Sequence, residues 1–114
     1  MHELGIVFHI IKKVEEVAAE NSVSAVNSVT LEIGEVSTIV DTYLQDCWKW
    51  AAAKSDYVKG AELLIETIPA VTMCNGCGRT YETVRYGKTF PCCNSEDTYL
   101  VTGNEVSIKE IEAI

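Results

Sequence analysis

Four clustered cysteines constrain the fold of this chain more than any other feature. They lie in the stretch "CNGCGRTYETVRYGKTFPCC", with the spacing Cys-x2-Cys-x14-Cys-Cys, and they are Cys74, Cys77, Cys92 and Cys93. A Cys-x-x-Cys turn directs two thiolates at one ion, and a second pair across a hairpin completes a tetrahedral sulfur shell. Because so short a segment with few large apolar groups has no core of its own, bound metal would also stabilise it. The spacing therefore predicts a zinc-ribbon-like module over residues 71–104 that holds structural zinc.

A redox pair and two disulfides are the alternatives for these cysteines. A redox Cys-x-x-Cys opens a helix after a strand, whereas Cys77 is followed by Gly78 and the β-like stretch "RTYETV". That stretch, a turn near Tyr86 and Gly87, and "KTF" predict a hairpin inside the module. Disulfides belong to oxidising compartments, but "MHELGIVFHIIKKVEE" has no basic region or cleavage site of a signal peptide. We therefore expect a cytoplasmic protein with metal-bound thiolates.

The first third of the chain predicts a helix followed by a strand. From Leu4 to Ala19, apolar residues recur at helical spacing, and they are Val7, Ile10, Ile11, Val14, Val17 and Ala18. Val29, Leu31 and Ile33 then alternate with polar residues, which predicts a half-buried strand ending at Gly34. His9 lies on the predicted helix, where we expect a surface or core histidine rather than a metal ligand.

A second helix is predicted from near Thr42 to Lys59, with Asp41 as its N-cap and Gly60 at its end. Its predicted apolar face comprises Tyr43, Leu44, Cys47, Trp48 and Ala51. On this face we expect Cys47 to be a buried free thiol.

Two further strands complete the predicted α+β fold. "AELLIETIP" and "EVSIKEIEAI" both have strand character, and Pro69 closes the first of them. The fold class is then a small sheet with two helices, plus an inserted zinc-ribbon-like module. The domain boundaries follow from this order: residues 1–70 and 105–114 form the α+β domain, and residues 71–104 form the module.

The acidic charge limits the partners that the chain can have. The formal net charge is −8 at pH 7, which argues against nucleic acid and against an anionic membrane surface. No apolar run approaches the ~20 residues of a membrane span. We therefore expect neither nucleic-acid binding nor membrane binding.

The N-terminal "MHE" offers a second metal site. The α-amine of Met1, the next backbone nitrogen and the imidazole of His2 can close small chelate rings in one plane. Square-planar nitrogen ligation suits Ni(II) or Cu(II) better than zinc. Glu3 could orient the site as an acceptor or donate an oxygen to the ion. The alternative is that His2 is incidental.

Taken together, these motifs resemble the HypA/HybF family of hydrogenase nickel-incorporation proteins. The resemblance rests on "MHEL", "LEIGEVS", "CNGCGRTYE" and "TGNEVSIKEIE", and it runs along essentially the whole chain in order. It implies that Met1, His2 and Glu3 bind nickel as cargo in the α+β domain, and that the four-cysteine module binds structural zinc, with Cys74 and Cys77 as the first zinc pair. It also implies a HypB-type GTPase partner and delivery to the large subunit of [NiFe]-hydrogenase. Some members of the family also serve urease maturation.

The second cysteine pair departs from the family pattern. The usual sequence there is Cys-Pro-x-Cys-Gly-Ser, whereas this chain reads "FPCCNS". Aligning Asn94 and Ser95 with Gly-Ser places Cys93 on the last ligand and Phe90 on the missing one. Either the adjacent Cys92 and Cys93 both bind zinc, or three cysteines bind it with water or a borrowed ligand.

Three classes of function follow from these observations. The first is a non-catalytic nickel metallochaperone, and the second is a zinc-ribbon interaction module without a nickel-delivery role. The third is an enzyme, but no Walker loop, His-Glu-x-x-His motif or Ser-His-Asp arrangement is present. We therefore expect that the chain is not an enzyme and that any GTP hydrolysis comes from a partner.

Overall fold

A computed structural model describes residues 3–87 and 94–114 of the chain. These residues form, in order, α1 (Glu3–Glu20), β1 (Val26–Gly34), α2 (Asp41–Ala52), β2 (Glu62–Ile68), β3 (Val71–Cys74), β4 (Thr80–Glu82), α3 (Thr83–Tyr86), β5 (Thr98–Thr102) and β6 (Val106–Ala113). The strands make two three-stranded sheets, in the orders β2-β1-β6 and β4-β3-β5. The predicted α+β class is confirmed.

The described residues divide into two compact units. The helical unit contains those of residues 1–31, 39–66 and 107–114, and the cysteine unit contains those of 32–38 and 67–106. In the part of the chain that the structure describes, no helix has the length and apolar content needed to cross a membrane.

Helix α1 packs by the apolar stripe that its sequence predicts. Its buried residues recur three or four positions apart and are Glu3, Val7, Ile10, Ile11, Val14 and Ala18. Val17, although part of the predicted apolar pattern, is exposed. His9 is also exposed, in line with a histidine on the surface.

Strand β1 is buried more completely than its alternating sequence predicts. It begins at Val26, and its polar Ser28 and Thr30 are buried together with Val29 and Leu31. Because β1 is the middle strand between β2 and β6, neighbouring strands cover both of its edges. Because Ser28 and Thr30 are buried as well, the prediction of a half-buried strand was wrong, although its end at Gly34 is confirmed.

Helix α2 is shorter than predicted and is capped differently. It ends at Ala52 rather than near Lys59, and the cap position before it is Val40, so that Asp41 lies in the first turn. The helix does not continue to Lys59 because the Oγ of Ser55 accepts the N–H groups of Tyr57 and Val58, in place of backbone carbonyls of a longer helix. Serine competes with helical hydrogen bonds in this way.

The predicted apolar face of α2 is confirmed at Leu44, Trp48 and Ala51, which are buried. The prediction was wrong for two residues of that face. Tyr43 is exposed, and Cys47 is half-buried rather than buried.

The cysteine unit is built on β3, a strand that the sequence did not predict. β3 pairs antiparallel with β4, where Met73 faces Thr80, and with β5, where Met73 faces Tyr99. The first strand of the predicted hairpin forms in part, as β4, but its pairing was predicted wrongly, because β4 pairs with β3 and the residues before Gly87 form the short helix α3. The second half of the hairpin, "KTF", lies outside the described residues.

Within the cysteine unit, backbones approach closely at the end of β1. The N–H of Gly34 donates to the carbonyl of Glu105, and the N–H of Val36 donates to that of Gly103. A Cβ atom on Gly34 would collide with the carbonyl of Gly103, and one on Gly103 would meet the Cβ of Ala70 at 2.5 Å. Glycine is therefore required at positions 34 and 103, because neither position has room for a Cβ atom.

Candidate metal-binding sites

Glu3 is the one member of the N-terminal motif among the described residues, and Met1 and His2 lie outside them. Glu3 opens α1, and only 5% of it is exposed. Its Oε2 accepts the backbone N–H of Val40 at 3.2 Å, and Val40 immediately precedes α2. The carboxylate therefore lies at the N-terminal ends of two helices, whose dipoles favour a negative charge.

Through this contact, one carboxylate oxygen of Glu3 is hydrogen-bonded to the protein backbone. Sequence reasoning gave Glu3 two roles, as an orienting acceptor or as an oxygen ligand. The hydrogen bond to Val40 is the kind of contact that the first role needs. Nothing in the sequence around Val40 indicated its part in this contact.

Cys74 and Cys77 occupy the turn that follows β3. Cys74 is the last residue of the strand and is buried, and Cys77 is half-buried. The N–H of Gly78 donates to the carbonyl of Cys74 at 2.8 Å, and the N–H of Cys74 donates to the carbonyl of Arg79 at 2.8 Å. Gly78 has a φ of 71°, a conformation that glycine adopts without cost. These bonds fold residues 74–79 into a tight turn that carries both cysteines.

The chain that follows the second cysteine pair is tied to this turn. The N–H of Asn75 donates to the carbonyl of Asp97 at 2.9 Å, and its Nδ2 donates to Oδ1 of Asp97 at 3.2 Å. The Oγ of Ser95 accepts the N–H of Asp97, forming a serine turn. Asp97 stands four residues after Cys93 in the sequence. Asp97 was not predicted as part of the site, because its bonds to Asn75 join segments that are distant in the sequence.

Cys92 and Cys93 lie outside the described residues, so the structure places two of the four expected zinc ligands. Within residues 3–87 and 94–114, no group of three or more histidine, cysteine or acidic side chains converges in a way that could hold a metal ion.

One carboxyl in the cysteine unit has a shifted pKa. The hydroxyl of Thr102 donates to Oε2 of Glu105 at 2.6 Å, and the N–H of Gly103 donates to Oε1 at 2.6 Å. These donors, the Thr102 hydroxyl foremost, lower the pKa of Glu105 below its ordinary value. The charged turn beside Gly103 is therefore retained at neutral pH and is lost only as the pH falls through the lowered pKa.

Comparison with known sequences gives matches along the whole chain. A family model described as "Hydrogenase/urease nickel incorporation, metallochaperone, hypA" matches residues 1–113. Hydrogenase maturation factor HypA 1 of Bradyrhizobium diazoefficiens is 36% identical over 112 residues, which are 98% of each chain. Hydrogenase maturation factor HypA of a Nostoc species is 38% identical over 114 residues, which cover 98% of this chain and 95% of the relative.

Solved structures share the fold. The solution structure of the Ni metallochaperone HypA from Helicobacter pylori superposes with a TM-score of 0.75 at 24% identity, covering 100% of this chain and 98% of that one. A second solution structure, of HypA protein, gives a TM-score of 0.78 at 23% identity, covering 100% of this chain and 97% of that one. The arrangement of helices and strands is therefore shared over nearly the full length of each chain.

Proposed function

Because this chain belongs to the HypA family of hydrogenase/urease nickel-incorporation metallochaperones, we propose that it binds Ni(II) at its N-terminus and helps to insert it into the large subunit of [NiFe]-hydrogenase. Its family is one of metallochaperones rather than enzymes, so the expectation that it is not an enzyme is confirmed. Its chemistry is ligand exchange, in which a site selects the ion and later releases it.

The proposed nickel ligands are the amine of Met1, the adjacent backbone nitrogen and the imidazole of His2. Nitrogen donors in one plane favour Ni(II). The observation that carries the proposal is the bond from Val40 to the buried carboxylate of Glu3, because it anchors the chain directly beside these ligands. We assign Glu3 to positioning, so the metal takes nitrogen ligands and Glu3 holds the first turn of α1.

The proposed zinc site uses Cys74 and Cys77 with Cys93 and, in the bidentate form, Cys92. Support comes from the bent turn at Cys74–Cys77 and from the Asn75–Asp97 bonds, which bring the chain shortly after Cys93 to that turn. A closed thiolate shell leaves no open position for a substrate, so this zinc stabilises the fold. We also propose that residues 1–70 with 105–114 form the nickel-binding α+β domain, and that residues 71–104 form the zinc-binding module.

The proposed partners are a HypB-type GTPase, which hydrolyses the GTP, and the large subunit of [NiFe]-hydrogenase. Urease maturation proteins are a further class of partner that the family description allows. We propose that nickel delivery takes place in the cytoplasm.

Nickel titration of untagged protein that starts at Met1 tests this function. His2→Ala should weaken nickel binding by at least about tenfold, since one ring nitrogen and its chelate ring are lost. His9→Ala is the matched control, because His9 is exposed on α1 and should bind nickel as the wild type does. A residue added before Met1 turns the amine into an amide, and it should weaken binding as His2→Ala does.

The zinc content should be equal in all of these proteins. If the His2→Ala and extended proteins bind nickel as tightly as the wild type, the terminal site does not exist. The zinc-ribbon interaction module would then be the better assignment.

A further inference from the structure

Large aromatic side chains lie exposed on neighbouring parts of α1 and α2. Tyr43 is 56% exposed, Trp50 53% and Phe8 47%. Tyr43 and Trp50 stand seven residues apart on α2, so they project from the same side of the helix, two turns apart. The ring of Phe8 meets the ring of Trp50 edge to face, with centroids 6.1 Å apart. We call Phe8, Tyr43 and Trp50 the aromatic surface.

The composition of the aromatic surface is that of a protein contact. Tryptophan, tyrosine and phenylalanine are enriched at interfaces, and truncations of tryptophan and tyrosine are among the most costly there. Contiguous exposed apolar groups mark interaction sites, unlike scattered single ones. Lys54 adds a positive charge, because its Nζ lies 3.4 Å from the centroid of the Trp50 ring. A fitting partner is apolar, with a carboxylate opposite Lys54.

The aromatic surface begins beside the proposed nickel site. Val40, whose N–H is bound by Glu3, is itself exposed and immediately precedes α2. Tyr43 lies in the first turn of that helix. On α1, Phe8 lies five residues beyond Glu3, which is about 7.5 Å along the helix axis. The exposed side chains therefore extend along both helices from the contact between Glu3 and Val40.

We propose that the aromatic surface is the docking site of the protein that accepts nickel. This inference rests on the function proposed above, in which an acceptor with its own nitrogen or sulfur ligands takes the ion from Met1 and His2. Exchange requires ligands of both proteins to reach one ion, so the acceptor must cover the surface beside the site. Docking there buries the three rings and holds the acceptor's ligands at the terminus.

The experiment uses the nickel-free large subunit of [NiFe]-hydrogenase as the probe. Its dissociation constant for the nickel-loaded full chain is measured, together with the rate at which nickel passes to it. Phe8→Ala and Trp50→Ala should weaken binding by about tenfold or more and slow transfer, as loss of a central interface side chain does. Val17→Ala is the control, because Val17 is also exposed on α1 but lies nine residues from Phe8, on the opposite side of the helix.

Thermal unfolding and nickel titration of each variant show whether it folds and holds nickel. Folded, nickel-binding Phe8→Ala and Trp50→Ala proteins with weakened docking would support the inference. If both dock and transfer as the wild type does, the aromatic surface is not the docking site, while the nickel function stands. If the wild type binds nickel but not the large subunit, or if Val17→Ala weakens docking equally, the inference is overturned. A wild type that binds no nickel would instead contradict the proposed function itself.

Discussion

At the scale of single residues, Glu3 joins the starts of two helices through one side chain. Its carboxylate is buried at the first turn of α1 and accepts the N–H of Val40 at the start of α2. Hydrogen bonds to charged acceptors contribute about 1.5–3 kcal/mol to stability. Glu3 is therefore as much a structural residue as a part of the metal motif, and its two roles can be separated by substitution.

Glu3→Ala should lower the free energy of unfolding by about 1–3 kcal/mol, because the N–H of Val40 loses its acceptor. Glu3→Gln should cost less, since an amide oxygen can accept the same bond without the charge. Urea denaturation measures both, with Glu16→Ala as a control, because Glu16 is exposed on the same helix. In nickel titrations, Glu3→Gln should bind nearly as the wild type does. A loss as large as that of His2→Ala would instead make the carboxylate a ligand.

At the scale of secondary-structure elements, the end of α2 depends on a residue far away in the sequence. Ser55 is buried, donates its hydroxyl to Oε2 of Glu15 at 2.6 Å and accepts the N–H groups of Tyr57 and Val58. Glu15 belongs to α1 and stands 40 residues earlier. The turn after α2 is thus stabilised by the packing of the two helices as well as by its own sequence.

Ser55→Ala should lower the free energy of unfolding by about 1–2 kcal/mol, because buried N–H groups lose their acceptor. Chemical denaturation of the variant beside wild type measures this. Ser24→Ala is the matched control, since Ser24 is exposed in the turn before β1 and should change stability little. Equal stabilities of the Ser55→Ala and wild-type proteins would show that the helix ends for another reason.

The elements that sequence alone predicted are those whose signal is local. The apolar spacing of α1 and the strand character of β2 and β6 carry enough information by themselves. The stop of α2 was missed because Ser55 acts through Glu15, and the burial of Thr30 was missed because it depends on tertiary packing that an alternating sequence does not reveal. At the candidate site, the Cys-x-x-Cys spacing indicated the turn at Cys74. The tie from Asn75 to Asp97 joins segments distant in sequence, so no local pattern contained it.

At the scale of the whole molecule, the two units differ in how they are stabilised. The helical unit has an apolar core formed by α1, α2 and β1, with Val7, Leu31 and Leu44 almost wholly buried. The described part of the cysteine unit buries few large side chains, Tyr81 being one. A unit with so small a core needs another source of stability, which zinc can supply.

Removing zinc should therefore disorder one unit and spare the other. Chelation, or Cys74→Ala, should collapse the amide NMR signals of the cysteine unit, while those of the helical unit keep their dispersion. Cys47→Ala is the control, because this half-buried cysteine lies in the helical unit and should leave about one zinc per chain. Protein purified without zinc and with paired disulfides would contradict the metal assignment.

The close backbone approach at Gly34 and Gly103 has a consequence for anyone who maps this protein by exhaustive mutagenesis. Neither position can accept a side chain without moving main chain, and Gly103 also has a φ of 122°. A screen scored by hydrogenase activity would therefore rank both glycines with the cysteines that we propose as zinc ligands, although neither has a side chain that could bind an ion. Counting folded protein beside activity separates the two classes: substitutions at the glycines reduce the yield of folded chain, whereas His2→Ala reduces activity at normal yield.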